Sequence, residues 1–146
     1  MHSKYDALKL DSQLCFPLYA CARKIVKLYY PYLSEVGLTY TQYITMLVLW
    51  EREKISAKEL GTKLYLDSGT LTPVLKSLEK KGLIGRRRSE EDERVLLVEL
   101  TAEGLALKEQ AVNIPYQLKS CLKLDHEDAY QLYQLLGRLL EEDSME

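Results

Sequence analysis

Three thiols, Cys15, Cys21 and Cys121, are the residues of this chain best suited to covalent chemistry. Cys15 lies in the stretch DSQLCFPLYACARKIV, between Leu14 and Phe16 and shortly before Pro17. A proline inside a helix cannot donate to the carbonyl four residues back, here that of Gln13, and its ring crowds it, so a helix either kinks or begins here. Cys15 therefore stands at or beside a helix N-terminus, where a cysteine is either a tuned nucleophile or a packed small hydrophobe; residue types alone leave both open. Cys21, six residues further on, falls on a different helical face and reads as a packing or bystander thiol. Cys121 lies between Pro115 and a helix start near Asp125, a loop-like position. The cysteines lack close metal-ligand spacing, and their odd number does not suit a secreted disulfide scaffold. They are expected to be free thiols in a reducing compartment, with any pairing conditional. His2 and His126 have no ligand cluster around them, so neither metal nor cofactor is expected.

The second chemistry in the sequence is recognition of phosphate. The chain carries a net charge of −2 and a pI near 5.8, which argues against a generally nucleic-acid-coated protein. The local balance differs. From Lys76 to Arg88 six cations (Lys76, Lys80, Lys81, Arg86, Arg87 and Arg88) face the single acid Glu79. From Leu124 to Glu146 seven acids (Asp125, Glu127, Asp128, Glu141, Glu142, Asp143 and Glu146) face only Arg138. A basic patch alone is as readily a solvated face, so its meaning depends on the elements that carry it.

Those elements are legible from apolar spacing and helix caps. A first helix is expected over about Leu14 to Leu33, with Leu18, Ala22, Ile25, Val26, Tyr29 and Tyr30 spaced by three and four. Capping boxes with hydrophobic staples start two more: Thr39 and Gln42 between Leu38 and Tyr43, and Ser56 and Glu59 between Ile55 and Leu60. In YLDSGTLTPVLKSLEKKGLI, Leu71, Val74, Leu75 and Leu78 form one stripe, Thr72, Lys76 and Lys80 the opposite face, and Gly82 the left-handed stop. LIGRRRS and RVLLVEL read as two strands joined by the charged tip EEDE, and Thr101 caps a further helix. The remainder, Ala102 to about Glu142, is expected to be helical, interrupted at Pro115, with Leu132, Leu135, Leu136, Leu139 and Leu140 on one side.

The fold class that results is mainly α with a small β-hairpin wing: a winged helix-turn-helix with N- and C-terminal dimerisation helices. One domain spans residues 1–146, with the winged lobe at 36–101 and dimerisation helices at 1–35 and 102–146, because the terminal helices exceed what the small lobe needs for its own core. Hydrophobic residues at 47% and charged ones at 29% of 146 positions describe a globule with one core. The N-terminus has no signal-peptide core, and the longest apolar run, ITMLVLW, is far short of the roughly 20 residues of a membrane span. A cytoplasmic protein without membrane contact is expected. In a helix-turn-helix the second helix enters the major groove by its N-terminal end. That assigns Ser68, Thr70 and Thr72 to bases or nearby phosphates, Lys76, Arg86, Arg87 and Arg88 to phosphates, and Arg94, past the wing tip, to the minor groove.

Several of these segments carry a likeness. QLCFPLYA, LTYTQY, YLDSGTLTPVLKSLEKKGLI and RRRSEEDER resemble the MarR-type winged-helix regulators, over nearly the whole chain. Asp92 and Arg94 match the family's general DxR wing signature. LDSGTLTP together with LCF is more specific and resembles the organic hydroperoxide-sensing OhrR branch. The resemblance implies a homodimeric repressor that binds operator DNA while Cys15 is reduced and releases it when an organic hydroperoxide oxidises that thiol to a sulfenic acid. It implies a sensor pocket of Phe16, Tyr19, Tyr29 and Tyr40, with tyrosines of the other subunit hydrogen-bonding the sensor sulfur. It also implies, at the place of Cys121, a resolving cysteine closing an intersubunit disulfide, as in two-cysteine members. Pro17 departs from the pattern and bears on how the first helix presents Cys15.

Three other functions compete. A MarR-like regulator gated by a small aromatic ligand would keep its DNA affinity under peroxide. A one-cysteine regulator of oxidative-stress or virulence programmes would respond fully without Cys121. A thiol peroxidase would need a general acid and a reductant site, and the sequence offers neither.

Overall fold

Pro17 falls in the first turn of helix α1 (Cys15–Glu35), so the helix begins at the cysteine instead of kinking there. Its missing N–H is one that the first turn leaves unpaired anyway. A second proline, Pro31, lies inside the same helix, which runs on past Leu33. The computed structural model describes residues 1–141, so Glu142, Asp143 and Glu146 of the acidic end lie outside the described residues. Two short 3-10 turns, Asp6–Leu8 and Leu10–Ser12, precede α1.

The capping signals start helices where expected. Thr39 caps α2 (Tyr40–Arg52) with both bonds of the capping box formed. Ser56 caps α3 (Ala57–Leu64), but only half of that box exists: Ser56 Oγ accepts the Glu59 N–H at 3.1 Å. The Glu59 carboxylate turns instead to Arg52, at 3.1 Å, because a guanidinium is the stronger donor. Asp67 caps α4 (Ser68–Lys80), accepting the Thr70 N–H at 2.7 Å. This helix ends as a Schellman turn, with Gly82 at φ +78°, its N–H on the Glu79 carbonyl and the Leu83 N–H on the Leu78 carbonyl.

The wing strands are β2 (Ile84–Arg88) and β3 (Leu96–Leu100), and here the expected simple hairpin needs correction. A third strand, β1 (Lys54–Ser56), joins β3 antiparallel with Ile55 opposite Val98, giving the order β1-β3-β2. Three residues between two helices carry no alternation to read; pairing with β3 makes them a strand. Thr101 caps α5 (Ala102–Ala111) as expected. The break that follows lies at Val112 and Asn113, before Pro115, which occupies the first turn of α6 (Ile114–Lys119), where a proline is tolerated. Helix α7 (His126–Leu140) has no buried residue in the single chain: Leu132, Leu135, Leu139 and Leu140 are exposed.

The core joins α2, α3, α4 and the sheet through Met46, Leu49, Leu60, Leu75, Leu78 and Val98, all at most 2 % exposed. Buried Gln42 ties the start of α2 to the end of α4. Its Nε2 donates to Ser77 Oγ at 2.8 Å, and its Oε1 accepts from the Thr39 N–H at 3.1 Å and from Lys81 Nζ at 2.8 Å. Gln42→Ala leaves these partners without their bonds and is expected to cost ~2 kcal/mol of unfolding free energy in urea. A loss below ~0.5 kcal/mol would mean that water replaces the amide there.

Candidate functional site

Cys15 is the first residue of α1 and is exposed in the single chain, as are Phe16 and Tyr19. The Arg23 guanidinium lies 5.6 Å from the Tyr19 ring centre. The other two sensor-pocket tyrosines sit far from the thiol. Tyr29 and Tyr40 pack with ring centres 4.9 Å apart and share this cluster with Tyr43, 5.6 Å from Tyr29. Burial, then the neighbouring Tyr40 and Tyr43, push the Tyr29 phenol up to about 12. Burial also raises Tyr40 and Tyr43, so these phenols stay protonated donors at neutral pH.

The length of α1 controls this arrangement. From Cys15 to Tyr29 is about 21 Å along an unbroken helix, at 1.5 Å per residue. Cys121 lies beyond the end of α6, exposed, and its sulfur is 3.4 Å from the hydroxyl of Tyr32. Tyr32 is about 25 Å along α1 from Cys15, so the two cysteines of one chain lie well beyond the roughly 7 Å between Cα atoms that a disulfide spans. The structure thus brings Tyr29 with Tyr40, and Cys121 with Tyr32, and brings neither pair to Cys15 of the same chain. Tyr32 was not singled out from sequence, since its partner is 89 positions away. Cys21 is exposed in the single chain, where it borders an apolar groove with Leu18, Ile25, Leu132 and Leu136.

Ser68, Thr70, Thr72 and Lys76 are exposed along α4. Thr72 Oγ1 donates to the Ser68 carbonyl at 2.7 Å and keeps its lone pairs for another donor. The arginines are less free than a charge count suggests. Arg86 pairs with Glu79 at 3.1 Å and Arg87 with Glu99 at 2.8 Å, and hydrogen bonds from these guanidinium groups hold both carboxyls below their ordinary range. Arg88 is exposed and forms no ion pair among the described residues. At the wing tip the Asp92 carboxylate accepts from the backbone N–H, Nε and Nη2 of Arg94 at 3.0–3.1 Å, which lowers the Asp92 carboxyl. The Arg94 side chain remains 90 % exposed, so Asp92 aims it outward. Among the described residues no cluster of His, Cys, Asp or Glu suits a metal ion, and no helix is long and apolar enough to cross a membrane.

A capped helix pair, a recognition-type helix with an exposed polar face and a charged three-stranded wing define a winged helix-turn-helix of the kind transcription regulators use. The family described as transcriptional regulator SarA/Rot matches residues 27–111. The organic hydroperoxide resistance transcriptional regulator of Bacillus subtilis is 51% identical over 141 residues, covering 97% of this chain and 96% of that one. Reduced AbfR bound to DNA, a protein of Staphylococcus epidermidis, superposes with TM-score 0.75 at 37% identity, covering 95% of this chain and 100% of that one. The disulfide-formed AbfR superposes at 0.64 with 36% identity, covering 94% and 97%. The chain belongs to the MarR-type winged-helix transcriptional regulators, in the branch of the organic hydroperoxide regulators. The relatives are named as transcription regulators, not as enzymes.

Proposed function

We propose that this protein is a homodimeric, redox-sensing repressor that binds operator DNA when reduced and releases it when Cys15 is oxidised by an organic hydroperoxide. The observation that carries this reading is the separation along α1: the exposed Cys15 stands at one end, the tyrosine cluster and Cys121 at the other. Two copies with antiparallel first helices bring each thiol to the other's tyrosines. The apolar side chains of α1 and α7 left exposed in one chain supply the surface for such a dimer.

In that dimer Tyr29 and Tyr40 of one copy donate to the Cys15 sulfur of the other and favour its thiolate, with Phe16 and Tyr19 walling the pocket. The thiolate attacks the peroxide oxygen; the O–O bond breaks, an alcohol leaves after taking a proton, and a sulfenic acid forms. The thiolate of Cys121 from the other copy then displaces hydroxide and closes the S–S bond. Ser68, Thr70 and Thr72 face the bases, while Lys76, Arg86, Arg87 and Arg88 lie along the phosphate path and Arg94, aimed by Asp92, reaches the minor groove. Oxidation acts by breaking the spacing of about one DNA turn between two recognition helices. Reduced AbfR and overoxidised AbfR are both bound to DNA and AbfR also forms a disulfide, which supports the disulfide, and not oxidation of the thiol alone, as the releasing step.

The test is operator affinity at fixed salt before and after one equivalent of organic hydroperoxide, with non-reducing gels alongside. Wild type should lose affinity and run as a covalent dimer. Cys121→Ser should not crosslink, and if it still releases DNA fully, the one-cysteine mechanism replaces this one.

A further inference from the structure

The contact between Tyr32 and Cys121 lies outside the sensor pocket and belongs to the second thiol. Cys121 sits in the turn after α6, its N–H bonded to the Leu118 carbonyl at 2.8 Å. Its Sγ lies 3.5 Å from the Gln117 carbonyl oxygen and 3.4 Å from the Tyr32 hydroxyl. Either atom of the Tyr32–Cys121 pair can donate; with the thiol proton on the Gln117 carbonyl, which can only accept, the sulfur lone pairs face Tyr32 and the phenol is the donor. When the thiol loses its proton, the bond to Gln117 disappears and the bond from Tyr32 strengthens, because a hydrogen bond to an ionised acceptor is stronger than one to a neutral acceptor. The same contact raises the Tyr32 phenol above its ordinary range, which keeps its proton available.

We propose that Tyr32 is a positioning residue for the resolving step: its O–H holds Cys121 Sγ against α1 and favours the thiolate that attacks the oxidised Cys15 of the partner copy. This rests on the two-cysteine reading above. In the step the Cys121 thiolate forms the S–S bond, the S–O bond of the sulfenic acid breaks, and the hydroxide that leaves takes a proton from solvent to become water. Tyr32 keeps its proton throughout.

A donor to the thiolate has two opposed kinetic effects. It increases the fraction ionised near neutral pH, and it lowers the nucleophilicity of each thiolate, with a Brønsted slope of about 0.45. Tyr32→Phe is therefore expected to react on the order of threefold more slowly near neutral pH and on the order of threefold faster in alkaline solution, so the two pH profiles cross.

Two readings test this on the full-length protein. The first is alkylation of Cys121 by iodoacetamide, followed by mass spectrometry in a Cys15→Ser, Cys21→Ser background. The second is disulfide formation after a hydroperoxide pulse in the protein with all three thiols. Tyr32→Phe should show crossed profiles in both, with Cys15 sulfenic acid forming at the wild-type rate and reduced-state operator affinity unchanged. Tyr30→Phe, at an exposed tyrosine two positions away on α1, should leave both profiles in place. Superimposable alkylation profiles for wild type and Tyr32→Phe would overturn the donation itself. A wild type that alkylates as expected but forms no disulfide would overturn the two-cysteine step, and with it the resolving role, while leaving the hydrogen bond established.

Discussion

Cys15→Ser should bind its operator as tightly after one equivalent of organic hydroperoxide as before it, whereas wild type should lose on the order of 10³ in affinity, the lower end of the gap between specific and non-specific DNA binding. The serine hydroxyl matches the thiol in shape, and position 15 is exposed in the single chain, so neither the lobe core nor the DNA-facing helix is disturbed. What changes is chemistry: an alcohol is not ionised at neutral pH and has no sulfenic state. The measurement is a titration of operator fragment at one salt concentration, since phosphate contacts make affinity strongly salt-dependent. A wild type whose affinity survives peroxide would make Cys15 a packing residue and favour a regulator gated by a small aromatic ligand. A Cys15→Ser protein that still releases DNA would move the sensor to another thiol.

The elements that position this site were legible because their signals are local. Thr39 with Gln42, Ser56 with Glu59, and Gly82 after Lys80 act within four residues of chain. A cap works by satisfying backbone groups beside it, so type and spacing suffice to place it. The site itself was legible as a set of residues but not as a geometry. Whether α1 ran unbroken past Pro17 and Pro31 decided whether Cys15 was near Tyr29 or about 21 Å from it. Pro17 was readable either way, and Pro31 lies inside the helix, two residues before the buried Leu33. Three misses share one cause. The short strand Lys54–Ser56, the pairing of Arg87 with Glu99 and the contact of Tyr32 with Cys121 all depend on residues 12 or more positions distant. Counting charges from Lys76 to Arg88 could not register that Glu99, on the next strand, faces Arg87.

Gly104→Ala, where α5 packs on the lobe, should be strongly destabilising, costing about 3 kcal/mol or more. Gly104 stands in the first turn of α5, where a Cβ would run into the carbonyl oxygen of Leu83 and lie 2.8 Å from Leu100 Cδ1. Neither neighbour can retreat freely. The Leu83 carbonyl accepts the Thr101 N–H at 3.2 Å, and the Leu83 N–H closes the turn that ends α4. Moving α5 away instead strains the bond from Trp50 Nε1 to the Gly104 carbonyl, 2.8 Å and buried, and the Thr101 cap on the Gly104 N–H at 3.0 Å. The control is Gly137→Ala in α7, where a Cβ meets nothing within 4 Å among the described residues of the single chain and helix propensity predicts a gain of about 0.5–1 kcal/mol. Urea unfolding at a fixed protomer concentration should give the two substitutions opposite signs. A Gly104→Ala protein within ~1 kcal/mol of wild type would mean that the junction of α4, β2 and α5 gives way cheaply. That junction sets the angle between recognition helix and wing, so any Gly104→Ala protein that remains folded in the cold should also bind its operator less tightly, with Cys15 still reduced.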